Sequence, residues 1–174
     1  AIIGFSDITA LLAWAVREAH VFAVHGPVVT QLSRLPTSDV QWLFALLEGR
    51  AHEAPLCDGG RRVGDRDGGT VEGRLVGGNL ELVTRLVGTP WALDLGASVF
   101  LVEETNEAPY RVDRMFTQLK LAGALAGVRA VAVGELTACT TVDDASRPGR
   151  AGPRAGAPSA RSIADGPSVE QVID

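Results

Sequence analysis

The chain has 174 residues, 46% hydrophobic and 21% charged, with a formal net charge of −5. That length supports one sizeable core or two smaller ones, and the acidic balance argues against nucleic acid as the main partner. No uninterrupted apolar run is long enough to span a bilayer, and the two cysteines, Cys57 and Cys139, stand in neither metal nor redox spacing and read as free thiols of a reducing compartment.

The first element is a short apolar run that stops at Gly4, with Ser6 directly after it. Behind Ser6 a helical face begins, carried by Ile8, Leu11, Leu12, Ala15, Val16 and Ala19. Ser6 is therefore expected where a strand turns into a helix. Two readings of that position stand side by side. A hydroxyl there can act as a nucleophile, with the next backbone N–H serving an oxyanion. Equally, Ser6-Asp7 can simply cap the helix. The G-x-S-x-G elbow is incomplete, because Ile8 stands where its second glycine would be. Val21–Val24 reads as a second strand, parallel to the first across the helix, so that Ser6 and His25 share one sheet edge, where open α/β sheets bind ligands. His25 is then either a base within reach of Ser6 or a pocket-lining residue beside Gly26-Pro27. His20, His25 and His52 have no zinc-type spacing, and no metal is expected.

Ser38 and Gln41 suggest a capping box before a helix that buries Val40, Leu43, Phe44 and Leu47, with Gly49 as its stop and Trp42 off the apolar stripe. Residues 51–73 read as an interdomain linker, crowded with glycine and charge. Asp65-Arg66-Asp67-Gly68 resembles a calcium loop only in part and is better read as a solvated turn. Asn79 is a natural N-cap for a helix running to Val87, and the glycine pair before it could also cradle an anion. Ser98–Val102 is a buried-strand pattern broken by Glu103-Glu104, and a helix after Pro109 turns Val112, Met115, Phe116 and Leu119 inward. Arg114 lies on another face, as a surface residue or as a clamp for a substrate carboxylate. Val128–Val133 reads as a further buried strand. Residues 146–167 form a loop rich in proline, glycine, alanine and arginine, and Ser168 with Gln171 caps a helix that begins at 168–174.

Six segments carry a resemblance: Ile3-Gly4-Phe5-Ser6-Asp7-Ile8-Thr9-Ala10-Leu11, His25-Gly26-Pro27, Arg74–Leu80, Gly88-Thr89-Pro90-Trp91, Phe100–Glu104 and Glu107–Met115. In this order they resemble landmarks of the serine LD-carboxypeptidases, the muramoyltetrapeptide carboxypeptidases, from residue 1 to about residue 140. The resemblance implies an α/β fold: the remnant of a parallel-sheet nucleophile domain (1–50), then a second α/β domain (74–145), truncated at both ends. It implies Ser6 as nucleophile, Glu103 as triad acid with Glu104 and Glu107 as neighbours in contention, and the Asp7 N–H as oxyanion donor. The triad histidine and a second oxyanion donor would lie outside residues 1–174. The implied activity is removal of terminal D-Ala from cytoplasmic muropeptides in peptidoglycan recycling, with a small peptide as substrate. The resemblance calls for no cofactor, no nucleic acid and no membrane, and it is compatible with a homodimer. Two alternatives remain open: a microcin-immunity-type peptidase cleaving acyl-nucleotide conjugates, for which Trp14, Trp42 or Trp91 would have to stack on the base, and a non-catalytic muropeptide-binding or inert truncated protein.

Overall fold

A computed structural model describes residues 1–50 and 70–140. The chain forms two parallel sheets with helices between their strands, as the α/β reading requires. The linker core, Cys57, His52, the Asp65 turn, the loop 146–167 and the helix at 168–174 lie outside the described residues.

The first sheet is a pair, β1 (Ile2–Gly4) and β2 (Ala23–His25), with Gly4 opposite His25. Helix α1 (Ile8–Glu18) joins them. It starts close above β1 because Gly4 has no side chain: a Cβ there would stand 2.7 Å from Ile8 Cγ2. The buried face of α1 is Thr9, Leu12, Ala13 and Ala15. This corrects the expected stripe, since Leu11 and Val16 are exposed. The helix is rotated toward the second sheet, and the residue that draws it there is the polar Thr9, which a hydrophobic count omits. After β2 come a 3₁₀ turn (Val29–Arg34) and helix α2 (Thr37–Leu47). Pro36, not Ser38, stands at the N-cap of α2. Leu43 is buried and Phe44 is exposed, so only part of the expected face is used.

The second sheet has the order β3-β4-β5: β3 (Arg74–Asn79), β4 (Ser98–Thr105) and β5 (Ala130–Thr137), all parallel. Helix α3 (Leu80–Leu86) follows β3 directly, and the Asn79 side chain caps it by accepting from the Leu82 N–H at 3.2 Å. Helix α4 (Pro109–Leu121) buries Val112, Met115 and Leu119 as its spacing predicts. These residues close on Leu80, Val83, Leu95, Phe100 and Val102, the core of this half. Strand β4 alternates cleanly, with Ser98, Phe100, Val102 and Glu104 buried on one face and Val99, Leu101 and Glu103 half-buried on the other.

Two expectations about the strands change. The β4 strand runs through Glu103-Glu104 to Thr105 instead of breaking at them, with a register shift against β5 between Val102 and Glu104. And β5 is not buried: Val131 and Val133 are 42% and 39% exposed, β5 being an edge strand of the three described. Among the described residues no helix is long and apolar enough to cross a membrane.

Candidate functional site

Ser6 sits between β1 and α1 at φ 59°, a left-handed conformation that costs a residue with a Cβ about 1 kcal/mol or more. Its carbonyl accepts from the Thr9 N–H at 2.9 Å, closing the first turn. Its hydroxyl makes no hydrogen bond to any described residue, and Asp7, at the N-cap, makes no side-chain cap bond. The capping reading of Ser6-Asp7 therefore has no bond to rest on. The N–H groups of Ile8, Thr9 and Ala10 are tied back to Phe5, Ser6 and Asp7 carbonyls. The Asp7 N–H donates to no described residue. A half-buried, strained serine with an unspent hydroxyl, followed by an unspent N–H, has the geometry of a nucleophile turn.

The turn is fixed from below. Thr9, 1% exposed, accepts from the Asn79 N–H at 3.1 Å, which joins α1 to the carboxyl end of β3. Asn79 Nδ2 in turn donates to Glu104 Oε1 at 3.0 Å. Glu104 also accepts from the Glu81 N–H at 2.9 Å and the Thr105 N–H at 2.9 Å. Among the described residues this buried carboxylate has three donors and no cation partner, so hydrogen bonds hold it there. Glu104→Gln places an amide N–H against one of those donors, and we expect a loss of about 3 kcal/mol in urea unfolding, since hydrogen bonds to a charged acceptor are the strong ones.

The three acids in contention thus occupy different surroundings. Glu104 is spent within the fold. Glu107 pairs with Arg111 at 3.4 Å. Glu103 points from the other face of β4, and its Oε1 lies 3.2 Å from His25 Nε2, both side chains being about a quarter exposed or less. So the structure brings His25, at the end of β2, to Glu103, near the end of β4. The sequence had placed His25 only beside Ser6. Arg114 stacks over the Tyr110 ring, 4.9 Å from its centroid, on the exposed side of α4, which is the surface role. Cys139 is a buried free thiol, pushed up from its ordinary pKa by burial. Among the described residues no three His, Cys, Asp or Glu side chains gather as metal ligands would.

Residues 72–155 match the LD-carboxypeptidase C-terminal domain. A Synechocystis protein named as a carboxypeptidase is 36% identical over 138 residues, covering 79% of this chain and 44% of the relative. The murein tetrapeptide carboxypeptidase of Pseudomonas aeruginosa is 33% identical over 150 residues, covering 79% of this chain and 47% of the relative. Over the matched residues the chain is similar to the LD-carboxypeptidase family. It spans less than half the length of these two relatives. Among solved structures, the muramoyltetrapeptide carboxypeptidase of Oxalobacter formigenes superposes with a TM-score of 0.69 at 23% identity, covering 98% of this chain and 51% of that one. A microcin C7 self-immunity protein in complex with aspartyl sulfamoyl adenosine superposes with a TM-score of 0.64 at 21% identity, covering 84% of this chain and 52% of that one. Both show that the LD-carboxypeptidase fold extends across the two sheets described above.

Proposed function

We propose that this chain carries the nucleophile and the acid of a serine LD-carboxypeptidase that removes terminal D-Ala from muropeptides in the cytoplasm, as part of peptidoglycan recycling. The observation that carries the reading is the Ser6 turn: a residue at φ 59° whose hydroxyl bonds to no described residue, at the edge where β1 meets α1. Residues 1–50 would then be part of the nucleophile domain and residues 74–145 the domain that supplies Glu103, an assignment the family match to residues 72–155 supports.

In this mechanism Ser6 Oγ attacks the carbonyl carbon of the amide before D-Ala. Its proton passes to a histidine outside residues 1–174, because a serine hydroxyl without a base is almost wholly protonated and weak. The Asp7 N–H receives the oxyanion. Collapse expels the D-Ala amine, which takes the proton from that histidine, and water then releases the acyl group from Ser6. Glu103 orients the histidine and stabilises its charged form.

The test is release of D-Ala from a muramoyl tetrapeptide by the protein expressed from its whole gene, set against cleavage of an aminoacyl sulfamoyl adenosine analogue. Release of D-Ala with a hundredfold preference for the tetrapeptide is expected. Cleavage of the nucleotide conjugate alone would assign the chain to the microcin-immunity branch instead.

A further inference from the structure

We infer that His25 is a positioning residue for Glu103: it holds one carboxylate oxygen and leaves the other for the triad base. The functional half of this inference rests on the hydrolase reading above. The structural half stands without it.

Glu103 needs such a holder. A glutamate at a strand end has several free torsions, and an acid that must orient a base has to be fixed within a fraction of an ångström. Its neighbour Glu104 is fixed by three hydrogen bonds. Glu103 has none from the described residues, and its one close polar neighbour there is His25 Nε2, 3.2 Å from Oε1. The nitrogen is at ion-pair distance without being aligned as a hydrogen bond, and such contacts commonly tighten when substrate enters. Oε2 is left unengaged by every described residue.

His25 is well placed to do the holding. It lies in the β1/β2 pair opposite Gly4, and the Gly26 N–H donates to the Gly4 carbonyl at 2.9 Å, which fixes the backbone on either side of the ring. Its Nδ1 is buried with no hydrogen-bond partner among the described residues. A proton on that nitrogen would be a buried donor without an acceptor, so the neutral ring keeps its proton on Nε2, facing the carboxylate. Because Ser6 follows β1 and His25 ends β2, the strand pair that presents the nucleophile also sets the position of the acid contributed by β4. A residue that merely walls the pocket would have no reason to face an acid in this way.

The first test is spectroscopic and uses the protein expressed from its whole gene. Long-range ¹H–¹⁵N spectra should show His25 as the Nε2–H tautomer, and Glu103→Gln should shift its Nε2 resonance. An Nδ1–H tautomer, or a spectrum indifferent to Glu103→Gln, overturns the inference. The second test measures D-Ala release by the whole-gene protein. His25→Ala should lower kcat roughly ten- to a hundredfold with KM little changed, the scale of a misplaced catalytic group. His25→Gln, whose amide nitrogen can occupy the Nε2 position, should restore most of that loss. His25→Ala combined with Glu103→Ala should be no slower than Glu103→Ala alone. A raised KM at constant kcat, or losses that simply add, overturns the positioning role. If the wild-type protein releases no D-Ala, the hydrolase reading fails, and the tautomer with its response to Glu103→Gln decides the pair by itself.

Discussion

Gly77→Ala is expected to abolish folding, whereas Gly88→Ala should cost about 1 kcal/mol. Gly77 lies inside β3 opposite Leu101 of β4, at φ 157°, and a Cβ built there would stand 1.6 Å from the Leu101 carbonyl oxygen. That oxygen belongs to a backbone held in the β4 ladder, so no side chain can swing aside to make room. Relief requires β3 to leave its register, and the same shift would undo the pairs Val76–Phe100 and Gly78–Val102 on either side. Phe100 and Val102 are fully buried, so the core would open with the ladder. A penalty of more than about 4 kcal/mol is exceptional for one substitution and consumes most of the stability of an ordinary domain. Gly88 is the control, since it also has positive φ, at 83°, but a Cβ there meets nothing within 4 Å. Soluble yield and urea unfolding monitored by tryptophan fluorescence distinguish the two. A Gly77→Ala protein that unfolds cooperatively near the wild-type midpoint would show that β3 does not pair as described.

The contrast explains which parts of this fold a sequence reader can see. Helix α4 is legible because Val112, Met115 and Leu119 carry its burial by hydrophobicity alone. Strand β3 is hidden, because its two glycines look like a loop and are there only to let β4 and α1 approach. The end of β4 is misread for a related reason: Glu103-Glu104 breaks the apolar pattern, yet Glu104 is buried by hydrogen bonds, which leave no trace in hydrophobic periodicity. The rotation of α1 follows from a Thr9–Asn79 bond between residues 70 apart in sequence. Strand β5 reads as buried from its valines, but burial depends on a neighbour, and β5 is an edge strand with a described partner, β4, on one side alone. At the site, the Ser6 turn follows from local chemistry and was anticipated. The approach of His25 to Glu103 is a tertiary event between two sheets, and no spacing in the chain announces it.

Ser6→Gly is expected to raise stability by about 1 kcal/mol while removing D-Ala release by roughly 10⁴-fold or more. The two effects come from one cause. At φ 59° any residue with a Cβ is strained, and glycine is not, so the substitution relaxes the turn between β1 and α1. The hydroxyl that is lost makes no bond to the described fold, so its removal forfeits no structural hydrogen bond there. Ser6→Ala separates the effects: it keeps the strain and loses the chemistry, so its stability should stay within about 0.5 kcal/mol of wild type. A structural cap would behave in the opposite way. Losing a serine cap to alanine costs about 1 kcal/mol, and to glycine only a few tenths, with no gain from either. Thermal unfolding of the three proteins beside their D-Ala release therefore reads the role of residue 6 directly. Strain at a position whose side chain bonds to no described residue is the observation that supports the proposed nucleophile role. If Ser6→Gly proved less stable than wild type, the hydroxyl would have a structural partner, and the nucleophile assignment would lose the observation on which it stands.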